Sequence, residues 1–179
     1  MTYPIALLQE HQFQQNLEVS QVEKIKIGDL VWSTNPETGK TELKAVVNTF
    51  VNETTQVTHI TVNGETITST QTHPYYVADR GWILAGNLRA GDILVTLNGE
   101  YVVLEQVQHE ILEAPVATYN FEVEGFHTYY VGENDIFVHN KCFRGRLKDL
   151  TNIRMKWRKV LMHIMYFLKN LPMNFLKSV

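Results

Sequence analysis

The sequence predicts an all-β domain that is followed by a basic amphipathic helix. Between residues 22 and 139, short runs of alternating apolar and polar residues are separated by turn-forming residues. Two breaks are Asn-Gly pairs, Asn63-Gly64 and Asn98-Gly99, which favour a tight hairpin because both central residues of that turn need positive φ. Many short strands with frequent turns are typical of a sandwich or an irregular barrel.

The strands follow in order along the chain. "IKIGDLVWS" is followed by the turn "NPETGK" and by "TELKAVVNTFV". "TQVTHITV" and "ETITSTQ" flank the first Asn-Gly pair, and "DILVTL" and "EYVVLEQVQ" flank the second. "GWILAGNLRAGD" predicts a single helical turn, and "PVATYNFEVEG" and "HTYYVGENDIFVH" complete the set of strands.

The period of the apolar residues changes after Cys142. From there they recur every three or four positions, while lysine and arginine fill much of the rest: Leu147, Leu150, Ile153, Trp157, Val160, Leu161, Ile164, Leu168 and Leu171. This pattern predicts a basic helix over about residues 145–170, ended by Pro172. The first residues are rich in glutamine and fit no strand pattern, so they are interpreted as a leader.

Charge divides the chain at the same point. Residues 1–142 carry 7 Lys/Arg and 18 Asp/Glu, whereas residues 143–179 carry 9 Lys/Arg and one acidic residue, Asp149. Such asymmetry indicates segments with different partners. We therefore expect a divergent leader (1–21), a β-domain (22–142) and a basic helical tail (143–179).

Composition limits the class of protein. No apolar run reaches the length of a membrane span, and the apolar patch near the start lacks the preceding basic residue of a signal peptide. The single cysteine, Cys142, excludes an internal disulfide and suits a reducing compartment. Synthesis in the cytoplasm is expected.

Four stretches of residues 22–142 together resemble the Hedgehog/intein (Hint) superfamily, and most closely the bacterial intein-like and pretoxin Hint domains. "VEKIKIGDLVWSTNPETGK" is similar to the first long hairpin, and "TSTQTHPYYV" contains a Thr-x-x-His block as Thr70 and His73. "GWILAGNLRAGDIL" is similar to the linking segment, and "VATYNFEVEGFHTYYVGENDIFVHN" to the two C-terminal blocks. Each motif is weak alone, but their order on a β-rich background is specific. The resemblance implies a Hint fold.

The resemblance also implies self-cleavage, in a single turnover and without a cofactor. In such domains the last Asn attacks its own backbone carbonyl through its side-chain nitrogen, which closes a succinimide and expels the next residue's amine. Here that step would cut between Asn140 and Lys141. Because an amide nitrogen is a weak nucleophile, positioning and proton transfer by His139 and His127 would supply the acceleration.

The roles of the upstream block stay open. In the family, the residues at Thr70 and His73 polarise the N-terminal scissile peptide, but a structural role in a turn is equally compatible with the sequence. Asn120 stands where many inteins carry Asp, and an amide cannot act as a general base. His73, His127 and His139 could converge on Zn²⁺, but their spacing is not a metal motif, so no metal site is predicted.

Two departures from the family argue against splicing. The N-terminal nucleophile would fall near residues 5–8, where no Cys or Ser stands. Lys141 follows Asn140, where splicing needs Cys, Ser or Thr, and Cys142 comes one position late. The ending Asn-Lys-Cys is similar to that of pretoxin Hint domains, which release a downstream toxin. Cleavage without splicing is therefore expected.

Three functional hypotheses remain at this point. The first is self-cleavage, with the chain's own C-terminal segment as its substrate and no small-molecule substrate. The second is a degenerate, inactive Hint scaffold. The third is a carrier whose tail, residues 143–179, binds membrane or nucleic acid. The tail is too short to bury a core of its own and resembles a toxin remnant. Export as part of a larger bacterial toxin is compatible with the resemblance.

Overall fold

The computed structural model describes residues 22–140, and most of them lie in strands. The nine strands are β1 (Leu30–Thr34), β2 (Thr41–Val62), β3 (Glu65–Thr70), β4 (Pro74–Val77), β5 (Gly81–Leu84), β6 (Ile93–Val95), β7 (Tyr101–Val123), β8 (Thr128–Val131) and β9 (Ile136–His139). Single 3-10 turns lie at Val22–Lys24 and Ala85–Asn87, and the second is the helical turn predicted from the sequence. The all-β prediction is confirmed for these residues. The predicted leader and the predicted tail helix lie outside them.

The sheet closes on itself. Antiparallel pairing gives the order β1-β2-β7-β6-β4-β9-β8, with β3 added beside β2 and β5 beside β4. The two ends of that order meet at Thr34 of β1 and Thr128 of β8. The Thr128 hydroxyl donates to the Thr34 carbonyl at 2.6 Å and lies 3.1 Å from the Thr34 nitrogen. The sheet therefore has a barrel-like form whose two ends are joined here by the Thr128 side chain and not by strand pairing.

Two strands are longer than the sequence pattern predicts. β2 joins "TELKAVVNTFV" to "TQVTHITV", and β7 joins "EYVVLEQVQ" to "PVATYNFEVEG". They pair with each other through three register shifts, at residues 46–48, 54–56 and 61–62 of β2. Pro115 lies in the unpaired stretch between Ile111 and Val116, where its missing N–H costs no ladder bond. The polar residues 52–55 contain neither glycine nor proline, so they continue β2 as a strand.

The two Asn-Gly turns differ. Asn63 and Gly64 both have positive φ, 48° and 79°, as the two-residue turn requires. At the second site only Gly99 has positive φ, and the Thr96 nitrogen donates to the Glu100 carbonyl at 3.0 Å. This is a three-residue loop that ends in a left-handed glycine. The hairpin prediction is correct at both places, but the tight turn type is wrong at the second.

β9 is a fully buried strand that lies between β4 and β8. Every residue of β4 and β9 is buried, and Tyr75 of β4 is paired with Val138 of β9. The large aliphatic side chains that are fully buried come from both the long and the short strands: Val46, Ile60, Val62, Val77, Leu94, Leu104, Val123, Ile136 and Val138. The end of β9 is therefore held within the buried core of the described residues.

A carboxylate fixes the turn that precedes β9. Glu65, the first residue of β3, accepts hydrogen bonds from the backbone nitrogens of Glu133 and Asn134 at 2.7 and 3.1 Å. The Asn134 side-chain nitrogen also donates to it at 2.7 Å. Gly132 allows this approach, because a Cβ there would lie 2.6 Å from Glu65 Oε1. The β8–β9 hairpin is thus tied to the β2–β3 turn.

Candidate functional site

Asn140 directly follows β9, and its side-chain amide is buried and makes no hydrogen bond within residues 22–140. Its backbone nitrogen donates to the His127 carbonyl at 2.9 Å, and the residue is only 6% exposed. Neither Nδ2 nor Oδ1 of Asn140 has a hydrogen-bond partner among residues 22–140. A buried polar group without a partner costs about 1–3 kcal/mol, and in a native structure it calls for an explanation. A side chain held for reaction is such an explanation.

Two imidazoles flank the end of β9. Thr128 is paired with His139 across the β8–β9 hairpin, so that His127 comes next to the end of β9. The rings of His127 and His139 lie nearly parallel, with centroids 6.4 Å apart and planes inclined by 19°. His127 has left-handed backbone geometry, φ 55°, which turns the chain into β8. The structure therefore brings His127, His139 and Asn140 together.

The environments of the two imidazoles differ. His139 is buried, 7% exposed, and meets the Trp82 ring edge-on at 5.1 Å. The His127 side chain is about a third exposed, and its Nδ1 lies 3.6 Å from the Glu122 carboxylate. An exposed contact of this length contributes little to stability. His127 is the ring of the pair that is open to solvent.

Thr70 and His73 belong to the turn between β3 and β4 and are held there by backbone hydrogen bonds. The His73 nitrogen donates to the Thr70 carbonyl at 3.1 Å, and the Ala85 nitrogen donates to the His73 carbonyl at 2.8 Å. These bonds link β3, β4 and the 3-10 turn. These hydrogen bonds give the Thr-x-x-His block a structural role in the turn. Such a role is compatible with the polarisation of a peptide that the family resemblance implies.

The His73 ring lies among tyrosines. It packs edge-on against Tyr75 and Tyr129, and its Nε2 lies 3.4 Å from the Tyr129 hydroxyl. Burial lowers the pKa of His73 to about 4, so the ring is neutral at neutral pH. Burial also raises the pKa of Tyr129 well above its usual range. The Tyr129 hydroxyl donates to Asn120 Oδ1 at 3.3 Å, which leaves its oxygen to accept from Nε2–H of His73.

His73 and His139 have different ring neighbours. His73 meets Tyr75 and Tyr129, whereas His139 meets Trp82 and His127. In the described part of the chain, no group of three His, Cys, Asp or Glu side chains is placed to hold a metal ion.

Comparison with known proteins identifies the domain. The family model described as "Pretoxin HINT domain" matches residues 17–141. The chain belongs to the pretoxin Hint family. No curated protein sequence matches it.

Solved structures agree with this assignment of a pretoxin Hint domain. The solution structure of the bacterial intein-like domain from Clostridium thermocellum is 48% identical over 66% of this chain and 86% of that chain, with a TM-score of 0.64. The crystal structure of the gp41-1 intein is 25% identical over 68% and 87% of the two chains, with a TM-score of 0.54. The Ssp DnaB mini-intein variant, 16% identical over 71% and 86% of the two chains with a TM-score of 0.59, shares the fold.

The Hint domain also contains contact residues that the sequence did not reveal. Trp82, Tyr129 and Glu122 contact the predicted histidines, but the sequence pattern assigns a site role to none of them. Glu122 lies on β7 and Tyr129 on β8. Their nearness to the predicted histidines follows from how these strands pair, which the sequence alone does not show. Trp82 lies in the linking segment and reaches His139 across β4, a contact for which the sequence gives no local signal. Lys141, on the other side of the predicted cleavage point, lies outside the described residues.

No helix among residues 22–140 is both long enough and apolar enough to cross a bilayer.

Proposed function

We propose that this Hint domain cleaves its own Asn140–Lys141 peptide bond by asparagine cyclisation, and that it releases residues 141–179 without splicing. The observation that carries the proposal is the state of Asn140. Its amide is buried and makes no hydrogen bond within residues 22–140, while its backbone nitrogen is fixed by His127. Because the backbone is fixed and the side-chain amide makes no hydrogen bond, closure of a five-membered ring is favoured over any intermolecular reaction.

The reaction balances within the chain. Nδ2 of Asn140 forms a bond to the Asn140 carbonyl carbon and loses a proton. The bond from that carbon to the Lys141 nitrogen breaks, and the departing amine takes up a proton. The products are a succinimide at residue 140 and a free amine on Lys141. Water later opens the succinimide to a carboxylate.

The two histidines act together to protonate the leaving amine. His139 precedes Asn140 in the chain, and its ring orientation is held by the buried aromatic cluster. His127 is partly exposed and lies against His139, so it can take up protons from solvent and return them. A positioned imidazole that protonates a leaving amine contributes about 10²–10⁴-fold to a rate. Both rings serve the departure of the Lys141 amine in this mechanism.

Similarity to self-processing proteins supports the reaction class, and the chain's own residues limit it to cleavage. The gp41-1 structure is that of an intein, and the Clostridium thermocellum domain is described as intein-like. Lys141 offers no hydroxyl or thiol to accept an acyl group. An amine at that position can only leave, so the C-terminal segment is released and not ligated.

Intact-mass spectrometry of the purified chain tests the proposal. We expect two fragments, residues 1–140 and 141–179, to accumulate at neutral pH, and we expect the Asn140→Ala chain to stay whole. Substitution of His127 or His139 by glutamine should slow the reaction without moving the cut. A wild-type chain that stays whole over days at neutral and mildly acidic pH means that the domain is an inactive scaffold.

A further inference from the structure

Trp82 holds His139 in a fixed aromatic frame. The indole and imidazole rings meet at 89° with centroids 5.1 Å apart, and on another side His139 lies parallel to His127. Trp82 is itself fixed by ring contacts with Tyr76 and Phe137, both at 5.1 Å. It is 6% exposed and is paired with Tyr76 in the β4–β5 hairpin. The ring that orients His139 therefore comes from a different hairpin.

The buried indole nitrogen of Trp82 lowers the stability that this side chain can contribute to the core. Trp82 Nε1 is buried and has no hydrogen-bond partner among residues 22–140. Leaving such a donor unsatisfied costs about 1–3 kcal/mol, which an aliphatic side chain would avoid. The net stability that Trp82 adds is reduced by that amount. What an aliphatic residue cannot supply is a rigid, flat ring that meets an imidazole edge-on.

We propose that Trp82 is a positioning residue for self-cleavage, because it restrains the His139 imidazole to the one orientation in which that ring serves the Asn140–Lys141 bond. This inference rests on the proposed function. Edge-to-face contacts between aromatic rings are directional, so a fixed indole restricts rotation of the imidazole about its own side-chain bonds. Without it, the His139 ring loses one of the contacts that hold its orientation, and a smaller fraction of the chains is aligned for proton transfer at any moment.

Two substitutions that each replace a ring of the same cluster by leucine separate positioning from stability. Trp82→Leu removes the ring that touches His139, whereas Phe137→Leu removes a ring of the same cluster that touches Trp82, Tyr76 and Tyr130. Both leave a cavity and destabilise the core, Trp82→Leu by more because the indole is the larger ring, so the free energy of unfolding of each variant is measured beside its cleavage rate. Because misplacement of a reacting group by about 1 Å costs on the order of 100-fold in rate, we expect Trp82→Leu to slow cleavage about 10- to 100-fold more than Phe137→Leu. Trp82→Phe, which restores an aromatic ring, should recover part of the lost rate.

The second measurement does not depend on cleavage. In the uncleavable Asn140→Ala chain, the NMR signals of the His139 ring protons report the ring current of the neighbouring indole. We expect Trp82→Leu to shift these signals and to broaden or average them, and Phe137→Leu, which keeps the indole and its contact with Tyr76, to shift them much less. His139→Gln in the same chain assigns the signals.

The outcomes are distinct. Slower cleavage in Trp82→Leu than in Phe137→Leu, together with shifted His139 signals, supports the positioning role. Equal cleavage rates in the two leucine variants, a Trp82→Phe rate no better than that of Trp82→Leu, or His139 signals that ignore Trp82→Leu overturn it. If the wild-type chain does not cleave at all, the proposed function fails separately, and the NMR result alone decides whether Trp82 orients His139.

Discussion

The substitution Thr128→Val tests how the closed sheet positions the site. Thr128 is fully buried, it directly follows His127, and it is paired with His139. Its hydroxyl serves three groups of β1: the Thr34 carbonyl at 2.6 Å, the Thr34 nitrogen at 3.1 Å and the Ser33 hydroxyl at 3.0 Å. Valine has nearly the same shape, so the change removes these bonds and leaves the packing volume almost unaltered.

The size of the expected loss in stability follows from the buried groups of Ser33 and Thr34 that lose their hydrogen-bond partner. Ser33 and Thr34 are themselves buried, at 0% and 5% exposure, so water cannot readily replace the lost partner. Each buried group without a partner costs about 1–3 kcal/mol. With both backbone groups of Thr34 affected and some relaxation of the strand, we expect Thr128→Val to lower the free energy of unfolding by about 2–5 kcal/mol.

Urea denaturation in the Asn140→Ala background measures this change without interference from cleavage. Thr66→Val is the matched control, since its hydroxyl meets Thr61 in an exposed pair at 3.3 Å. We expect the control to stay within about 0.5 kcal/mol of the parent chain. A loss from Thr128→Val no larger than that of the control would refute the reasoning, because the closure of the sheet would then not depend on this hydroxyl.

Three further predictions concern other parts of the domain. Burial lowers the pKa of His73 to about 4 from its usual 6.5, so the unfolded chain binds a proton first, and stability should fall as the pH drops from about 6.5 toward 4. His73→Gln should flatten that part of the pH profile in thermal denaturation, and an unchanged slope would contradict the assigned burial. Gly132→Ala should destabilise the chain by about 1–3 kcal/mol more than Gly99→Ala, because both glycines have φ 76° but only at Gly132 would a Cβ meet Glu65. Equal losses in urea denaturation would show that this turn is not closely packed. Glu65→Gln should speed hydrogen exchange at the amides of residues 133 and 134, with Glu105→Gln as the control on the neighbouring turn, and equal exchange in both variants would exclude a role for Glu65 in holding the hairpin.

The parts of the fold that could be predicted depend on local signals. Asn63-Gly64 predicts its hairpin because the turn needs two positive φ angles, and both are present. His127, His139 and Asn140 could be expected to meet because one short hairpin carries all three. Strand length was harder to predict, since the polar residues 52–55 look like a loop until β7 provides a partner on which they can pair.

The remaining features depend on contacts between distant segments. Thr34 and Thr128 meet only because the sheet curves until its first and last strands touch. Trp82 reaches His139 because β5 pairs with β4 and β4 with β9. The different ring neighbours of His73 and His139 depend on such contacts as well. Tyr129 lies beside one ring and Trp82 beside the other, and the spacing of the histidines in the sequence predicts neither neighbour.

The mass of the newly formed fragment tests the central claim most directly. The chain is incubated in water enriched in ¹⁸O, and fragment 1–140 is weighed as soon as it appears. Cyclisation of Asn140 predicts that the first-formed fragment is a succinimide, lighter by one water than the free acid, and that it gains one labelled oxygen only as the ring opens. A fragment that ends at residue 140 as the free, labelled acid from its first appearance, or that also forms from the Asn140→Ala chain, would contradict cleavage by asparagine cyclisation.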